Sequence, residues 1–451
     1  MTVDPQLTRL GLFDARVPRY TSYPTAPHFA AGIGSADFTR WIEAIPEGAQ
    51  ISLYLHVPFC RRLCWFCACR TQGTTSDDPV IAYAQTLHAE IALLARHLPR
   101  GVTLSRLHWG GGTPTMLPPD QMRALAEAVF AVAPMAPNGE FSVEIDPSEV
   151  DDDRLDALIQ AGMNRASIGV QDFDPEIQKA IGREQSYELT RSISQKIRDR
   201  GVRSLNADIL YGLPHQTNAR ITDSVEKLLT LSPDRVALYG YAHVPWMSRR
   251  QQMIPSDTIP PAEERLGLFE TARRLFLAAG YDEIGIDHFA KPTDGLAMAQ
   301  KAGTLRRNFQ GYTDDTSPAL VGLGASSISR FPQGYAQNAS ATAAHTKAIR
   351  DQRFSTSKGH AFSGEDQLRA RIIELVMCDF RVDRADLMRE FDVPAVRIDR
   401  LFRDAAAGFE NLVQLQDGVF SIPEAGRPLT RLIARAFDAY DQSKAQHSAA
   451  I

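Results

Sequence analysis

Seven runs of seven to eleven residues, rich in apolar and β-branched positions, recur between residues 51 and 289. They are "ISLYLHV" (51–57), "SRLHWGG" (105–111), "EFSVEID" (140–146), "RASIGVQ" (165–171), "SLNADILYGLP" (204–214), "RVALYGYAHV" (235–244) and "DEIGIDHF" (282–289). Most are separated by stretches with helical spacing, such as "AYAQTLHAEIALLARHL" and "DQMRALAEAVFAV". Strands that alternate with helices predict an α/β fold with a parallel sheet, open or curled into a barrel. In such sheets ligands collect at the carboxyl ends of the strands. In "EFSVEID", Phe141, Val143 and Ile145 share one face, and Ser142, Glu144 and Asp146 share the other. Helices would cover the apolar face, so Glu144 is expected to point into the barrel. A carboxylate there is costly unless it is paired with a cation or accepts hydrogen bonds from a partner.

After about residue 290 the alternation fades. From about 361 the pattern turns helical, with "EDQLRARIIELVMCDFRV" and "PAVRIDRLFRDAAAGF". "LVQLQDGVFSI" follows, two short strand candidates about Asp417-Gly418, a strong hairpin signal. The helix "PLTRLIARAFDAYDQ" closes the pattern. These boundaries divide the chain into an arm (1–35), a barrel with extensions (36–360) and a mainly helical, winged-helix-like C-terminal domain (361–451). DNA binding does not follow from that shape. The net charge of -5 and the lack of a basic recognition helix argue against nucleic acid and favour a lid or packing role. No window has the length and apolarity of a membrane span. The first residues lack the basic start and apolar core of a secretory signal, so a cytoplasmic location is expected.

Four of the five cysteines fall within ten positions, in "PFCRRLCWFCACR" (58–70). In a reducing compartment such clustering points to metal or redox chemistry rather than disulfides. Cys60, Cys64 and Cys67 follow C-x3-C-x2-C directly after the first strand. Three thiolates on one loop can hold three corners of a 4Fe–4S cube and leave the fourth iron open for chemistry. The alternatives are a zinc knuckle, which normally takes two separated pairs of ligands and finds no second pair here, and unrelated buried thiols. Cys378 stands alone in a helical run and reads as a core residue.

This motif resembles the signature of the radical S-adenosylmethionine (SAM) superfamily. Further words, "YLHVPFCRRLCWFCACR", "LHWGGGTPT", "EIDPSE", "GVQDF", "GREQS", "ADILYGLPHQT", "YAHVP", "DHFAKP", "RRNFQGYT" and the arm's "PRYTSYPTAPHF", resemble the oxygen-independent coproporphyrinogen III oxidases along essentially the whole chain. The resemblance implies an incomplete, six-stranded TIM-like (β/α)6 barrel with an N-terminal arm and a helical cover. It implies that SAM binds the open iron and is cleaved to methionine and a 5′-deoxyadenosyl radical, with two SAM molecules per site. By resemblance Cys69 is an active-site thiol that does not ligate the cluster. Its one-residue spacing from Cys67, which points the two side chains apart in an extended segment, agrees.

Glycines let a backbone approach a ligand closely, and Gly111, Gly112 and Thr113 match the family's glycine motif after the second strand. Glu144, Gln171 and Asp208 end strands on the inward face and match SAM-binding positions. An interior salt bridge is the other reading for Glu144. Arg183 matches an arginine among the SAM contacts. Tyr54, Phe66, Ala242 and Ile328 are carried over from the resemblance alone, although Phe66 could stack on adenine.

The implied reaction is conversion of coproporphyrinogen III to protoporphyrinogen IX in anaerobic haem biosynthesis. An external one-electron donor, an electron acceptor and a monomeric chain go with it. A tetracarboxylate substrate calls for cations; Arg306, Arg307, Asn308 and Lys291 are candidates, though exposed surface charge is the ordinary reading of each. Tyr20 and Tyr23 are candidate cavity residues, and His243 and His288 candidate proton donors. The rival functions are a haem chaperone on the same scaffold and a passive iron–sulfur carrier.

Overall fold

The computed structural model describes residues 5–440 and 450–451. Twelve strands form one sheet: β1 (Gln50–Val57), β2 (Thr103–Gly111), β3 (Met135–Ile145), β4 (Arg165–Gln171), β5 (Ser204–Tyr211), β6 (Arg235–Gly240), β7 (Asp282–Ile284), β8 (His288–Ala290), β9 (Leu320–Leu323), β10 (Ile328–Phe331), β11 (Gly334–Asn338) and β12 (Thr356–Ala361). The spatial order is 12-11-10-9-1-2-3-4-5-6-8-7. β1 to β6 run parallel in chain order. They form the six-stranded barrel, which stays incomplete because β12 and β7 end the order without pairing to each other. β9 adds a further parallel strand beside β1, and the remaining neighbours are antiparallel.

Helices α1 (Asp78–Ala95), α2 (Pro119–Val132), α3 (Asp152–Gln160), α4 (Tyr187–Asp199) and α5 (Asn218–Thr230) cross over between successive strands. Their apolar stripes, for example Met122, Leu125, Ala126 and Val129 of α2, pack on the outward strand residues. Phe141, Val143 and Ile145 are buried there at 2% exposure or less. Burial of this size, at about 25 cal/mol per Å² of apolar surface, is what holds each strand with its polar side inward.

α6 (Ala262–Ala278) completes the outer layer. A second core forms around α7 (Asp366–Asp379), α8 (Arg384–Phe391), α9 (Ala395–Ala406) and α10 (Thr430–Arg435) with a three-stranded sheet. Its hairpin turns at Asp417 and Gly418, both at positive φ (51° and 80°), as the Asp-Gly pair demands. The arm belongs to this core: Leu7, Leu12, Phe13 and Val17 are buried in it. Arg19 then reaches the end of β6 and donates to the Gly240 carbonyl at 2.7 Å.

Two elements differ from the sequence pattern. "DEIGIDHF" is not one strand but a hairpin of β7 and β8. Gly285 turns there at φ +56°, and a Cβ on it would sit 2.0 Å from the Tyr312 ring, so only glycine fits. The last helix spans Thr430–Arg435, preceded by a 3-10 stretch over Glu424–Leu429, because Pro428 interrupts the donor ladder. The rest of the expected helix lies partly outside the described residues.

Candidate active site

The cysteine loop leaves the carboxyl end of β1 and is tied down on both flanks. Gly112 and Thr113 donate backbone N–H groups to the carbonyls of Val57 (2.8 Å) and Phe59 (2.7 Å). A Cβ on Gly112 would lie 2.3 Å from the Phe59 oxygen, so the triple glycine serves close backbone approach between two strand ends. Farther along, the Trp65 amide donates to Ile181 at 2.9 Å, and the Gln251 amide bridges the carbonyls of Phe66 (2.8 Å) and Ala242 (3.0 Å). Ser248 donates to the Cys67 carbonyl at 3.2 Å.

Within this loop Cys64 is buried, Cys60 and Cys67 are partly buried and Cys69 is exposed. Among the described residues no three Cys, His, Asp or Glu side chains come close enough to share a single ion. Cys60 lies near enough to Cys64 and Cys67 to feel the charge of each, and three such thiolates on one loop can hold three corners of a four-iron cube. Arg183 donates to the Cys64 sulfur at 3.5 Å and pairs with Asp146 at 3.1 Å. Although burial works against its charge, Asp146 and the Cys64 sulfur beside it hold the Arg183 guanidinium above its ordinary pKa.

Inside the barrel lies a cavity of about 410 Å³ whose wall includes Tyr54, Cys69, Gly111, Glu144, Asp208 and Ile328. The carboxylate of Glu144 accepts from the Gly111 amide at 3.0 Å and bonds His108 Nε2 at 3.2 Å. His108 in turn bonds Ser142 Oγ at 2.5 Å and stacks on Tyr54, with ring centroids 5.7 Å apart. Its place inside the barrel works against ionisation of Glu144. The His108 hydrogen bond and charge, joined by the Gly111 amide, outweigh this and hold the carboxyl below its usual range. Asp208 behaves oppositely: burial, with the charge of Glu144 added, pushes it up to about 6 despite a 2.8 Å bond from Asn206. Burial also lowers His56, which bonds the Tyr54 hydroxyl at 2.9 Å.

Most of the other expected residues stand outside that wall. Gln171 ends β4 at a register break with φ +68°, and its amide nitrogen folds back to within 3.0 Å of the Cβ position of Gly169. Gly112, Thr113, Phe66, Ala242 and Arg183 meet the cysteine loop instead. Tyr20 and Tyr23 lie in the second core, with the Tyr20 hydroxyl on Asp438 at 3.0 Å. His243 bonds Tyr241 and Ser256, both at 2.9 Å. Lys291 is engaged with Ser232 and Asp234, and Arg306 with Glu374 at 3.1 Å. His288 is in the cavity wall, bonded to Asp287 at 2.7 Å. His56, His108, Asn206 and Tyr239 were not singled out from sequence, although "LYLH" and "RLHW" each place a histidine on the inward face, in step with Tyr54 and Arg106.

The close fit at Gly112 sets one expectation. Gly112→Ala forces the Phe59 carbonyl away, costs about 1–3 kcal/mol of stability and lowers the iron retained after reconstitution. Iron per chain and the thermal midpoint measure both; wild-type values would mean the loop tolerates the displacement.

Residues 54–228 match the Radical SAM superfamily. Along its whole length the chain is 65% identical to the oxygen-independent coproporphyrinogen III oxidase of Paracoccus denitrificans, covering 100% of both chains. The enzyme of the same name from Cereibacter sphaeroides is 59% identical over 98% of each. The solved coproporphyrinogen III oxidase of Escherichia coli, described as a radical SAM enzyme, superposes with a TM-score of 0.90 at 34% identity, over 95% of this chain and 100% of that one. Such whole-length agreement does not favour the haem-chaperone alternative. From the cysteine loop to the arm and the helical cover, the chain belongs to the oxygen-independent coproporphyrinogen III oxidases, radical SAM enzymes that use a 4Fe–4S cluster and SAM.

Proposed function

We propose that this chain converts coproporphyrinogen III to protoporphyrinogen IX by oxidative decarboxylation of two of the four propionate side chains. The observation that carries this reading is the 65% identity over the complete chain, joined to a cavity that sets carboxylates beside a cysteine loop. Each conversion removes one hydrogen atom from the propionate β-carbon. The bond to the carboxyl carbon then breaks, carbon dioxide leaves, a vinyl group remains and one electron passes to an acceptor. When bound and reduced, the cluster with SAM supplies a carbon-centred radical able to take that hydrogen atom.

In this reading Cys60, Cys64 and Cys67 hold the cluster. Glu144 and Asp208 offer acceptor oxygens to SAM, with His108 and the Gly111 amide keeping Glu144 ionised and oriented. Tyr54, Phe66, Gly111, Gly112, Thr113, Gln171, Arg183, Ala242 and Ile328 complete the cofactor contacts or fix the loop that makes them. Burial lowers the pKa of His56 and so favours its neutral form beside the Glu144 carboxylate. Two SAM molecules share the site, an external one-electron donor reduces the cluster, and the chain works as a cytoplasmic monomer. Among the described residues no helix is long and apolar enough to cross a membrane.

The deciding assay is anaerobic: reduced protein with SAM and coproporphyrinogen III releases carbon dioxide, 5′-deoxyadenosine and a vinyl-bearing product. Tight haem binding without vinyl product would sink the assignment. Cys69, in the cavity wall and donating its backbone amide to the Cys67 sulfur at 3.4 Å, is proposed as an active-site thiol. Cys69→Ser keeps wild-type iron and loses product formation; full activity in that variant would make the thiol incidental.

A further inference from the structure

A second cavity, of about 270 Å³, opens beside the carboxyl ends of β5 and β6, between the barrel, the arm and the C-terminal helices. Leu266, Phe269 and Ile286 give it apolar wall, and arginines from three distant segments meet in it: Arg19 of the arm, Arg265 of α6, and Arg307. Among the described residues none of the three has a side-chain carboxylate within hydrogen-bond distance. Arg19 donates to the Gly240 carbonyl at 2.7 Å. Arg265 donates to the Tyr241 carbonyl at 2.7 Å, and its Nε has no partner. Arg307 is 3% exposed and lies over the Tyr312 ring at 4.4 Å, with neither Nε nor Nη1 hydrogen-bonded. The nearest acid is Asp287, 3.8 Å from Arg307 Nη1 and already bonded to His288.

The other side-chain charges on this wall are engaged elsewhere, and Ile451, with the terminal carboxylate, lies on the same wall. Arg273 pairs with Glu283 at 2.9 Å, Glu424 at 3.1 Å and Glu270 at 3.6 Å, and Arg427 reaches Glu283 at 3.4 Å. Arg431 donates to the carbonyls of Val17, Pro18 and Ala450. Backbone shape has been adapted to admit Arg265: Gly212 turns at φ +78°, and a Cβ there would lie 2.6 Å from the arginine Nε. Buried guanidinium groups without carboxylates are costly to a fold, and a planar fork with free N–H groups fits a carboxylate ligand. Beyond this wall lies the first cavity. Asp287 and Arg307 face the arginine side, while their contacts His288 and Tyr312 line the cofactor side.

We propose that Arg19, Arg265 and Arg307 anchor carboxylates of the substrate, gripping propionates that do not react while a reacting one faces the cofactor cavity. This rests on the function proposed above and adds to it the place where a tetracarboxylate is held. Arginine is the residue for such a task because its five donors stay charged when desolvated.

The test measures binding of coproporphyrin III, the oxidised macrocycle with all four carboxylates, and of its tetramethyl ester to reconstituted full-length protein by fluorescence quenching. Wild type is expected to prefer the acid by at least about tenfold, and Arg265→Met and Arg19→Met each to weaken acid binding by about tenfold while leaving the ester unchanged. Arg265→Lys, which keeps the charge, should recover part of the loss. Arg19→Met guards against misfolding of the more deeply packed Arg265 variant. Equal losses for acid and ester, or wild-type acid affinity in both Met variants, would overturn the anchoring site. Formation of 5′-deoxyadenosine by wild type is scored separately. Its absence alongside arginine-dependent acid binding would remove the proposed reaction and leave the carboxylate site standing.

Discussion

Cys64→Ser leaves the folded chain without its cluster: iron after anaerobic reconstitution falls close to zero and product formation drops below detection. Serine keeps the shape of the side chain but offers an alcohol that does not ionise near neutral pH, so a soft thiolate ligand is lost without a new clash. The position is buried and touches Arg183 at 3.5 Å, so no outside thiol can easily take its place. The rest of the loop remains held by Gly112, Thr113, Ile181 and Gln251, so the thermal midpoint of the iron-free protein should stay close to that of iron-free wild type. Cys378→Ser is the control: that thiol lies fully buried in a separate core, and its loss should leave iron content unchanged. A Cys64→Ser protein with wild-type iron would refute the ligand assignment.

The second large effect is expected at Glu144. Glu144→Gln keeps the size of the side chain but removes the charge that His108 and the Gly111 amide stabilise. Hydrogen bonds to charged groups contribute about 1.5–3 kcal/mol, so SAM affinity should fall about 10- to 100-fold. The same substitution has a consequence for pH. Asp208 titrates near 6 because burial, and then the charge of Glu144, raise it. A ligand that needs the Asp208 anion binds with constant affinity above about pH 7, and more weakly as the pH falls through 6 and the carboxyl takes up a proton. Removing the Glu144 charge removes one of the causes of the upward shift, so the midpoint of that loss should move to lower pH. Calorimetric titrations of SAM from pH 5 to 8 on both proteins measure this. A midpoint that stays put or rises would show that the two carboxylates do not share one site.

The six parallel strands were legible because each is buried on its outer face and lies between paired neighbours. Such strands carry apolar runs that survive in the linear pattern. Phe141, Val143 and Ile145 pack outward at 2% exposure or less, and Glu144 faces the cavity, as their alternation requires. The cysteine loop was legible for a similar reason, since all its thiols lie on one short segment. "DEIGIDHF" misled because its break depends on a distant partner: Gly285 must give way to Tyr312, 27 positions later. The turn at Gln171 was not legible, because it depends on a register break between β4 and β5 that no local pattern announces.

What the chain's own order determined is therefore everything local: strand faces, crossover helices, the Asp-Gly hairpin and the spacing of Cys60, Cys64 and Cys67. Only tertiary structure decided which polar groups meet. His108 reaches Glu144 across adjacent strands, and Arg19, Arg265 and Arg307 converge from segments up to 288 positions apart. The cause is physical. A strand's face follows from the alternation of its own side chains, whereas a cluster of buried charges exists only once separate segments have packed and excluded the water that solvated each of them.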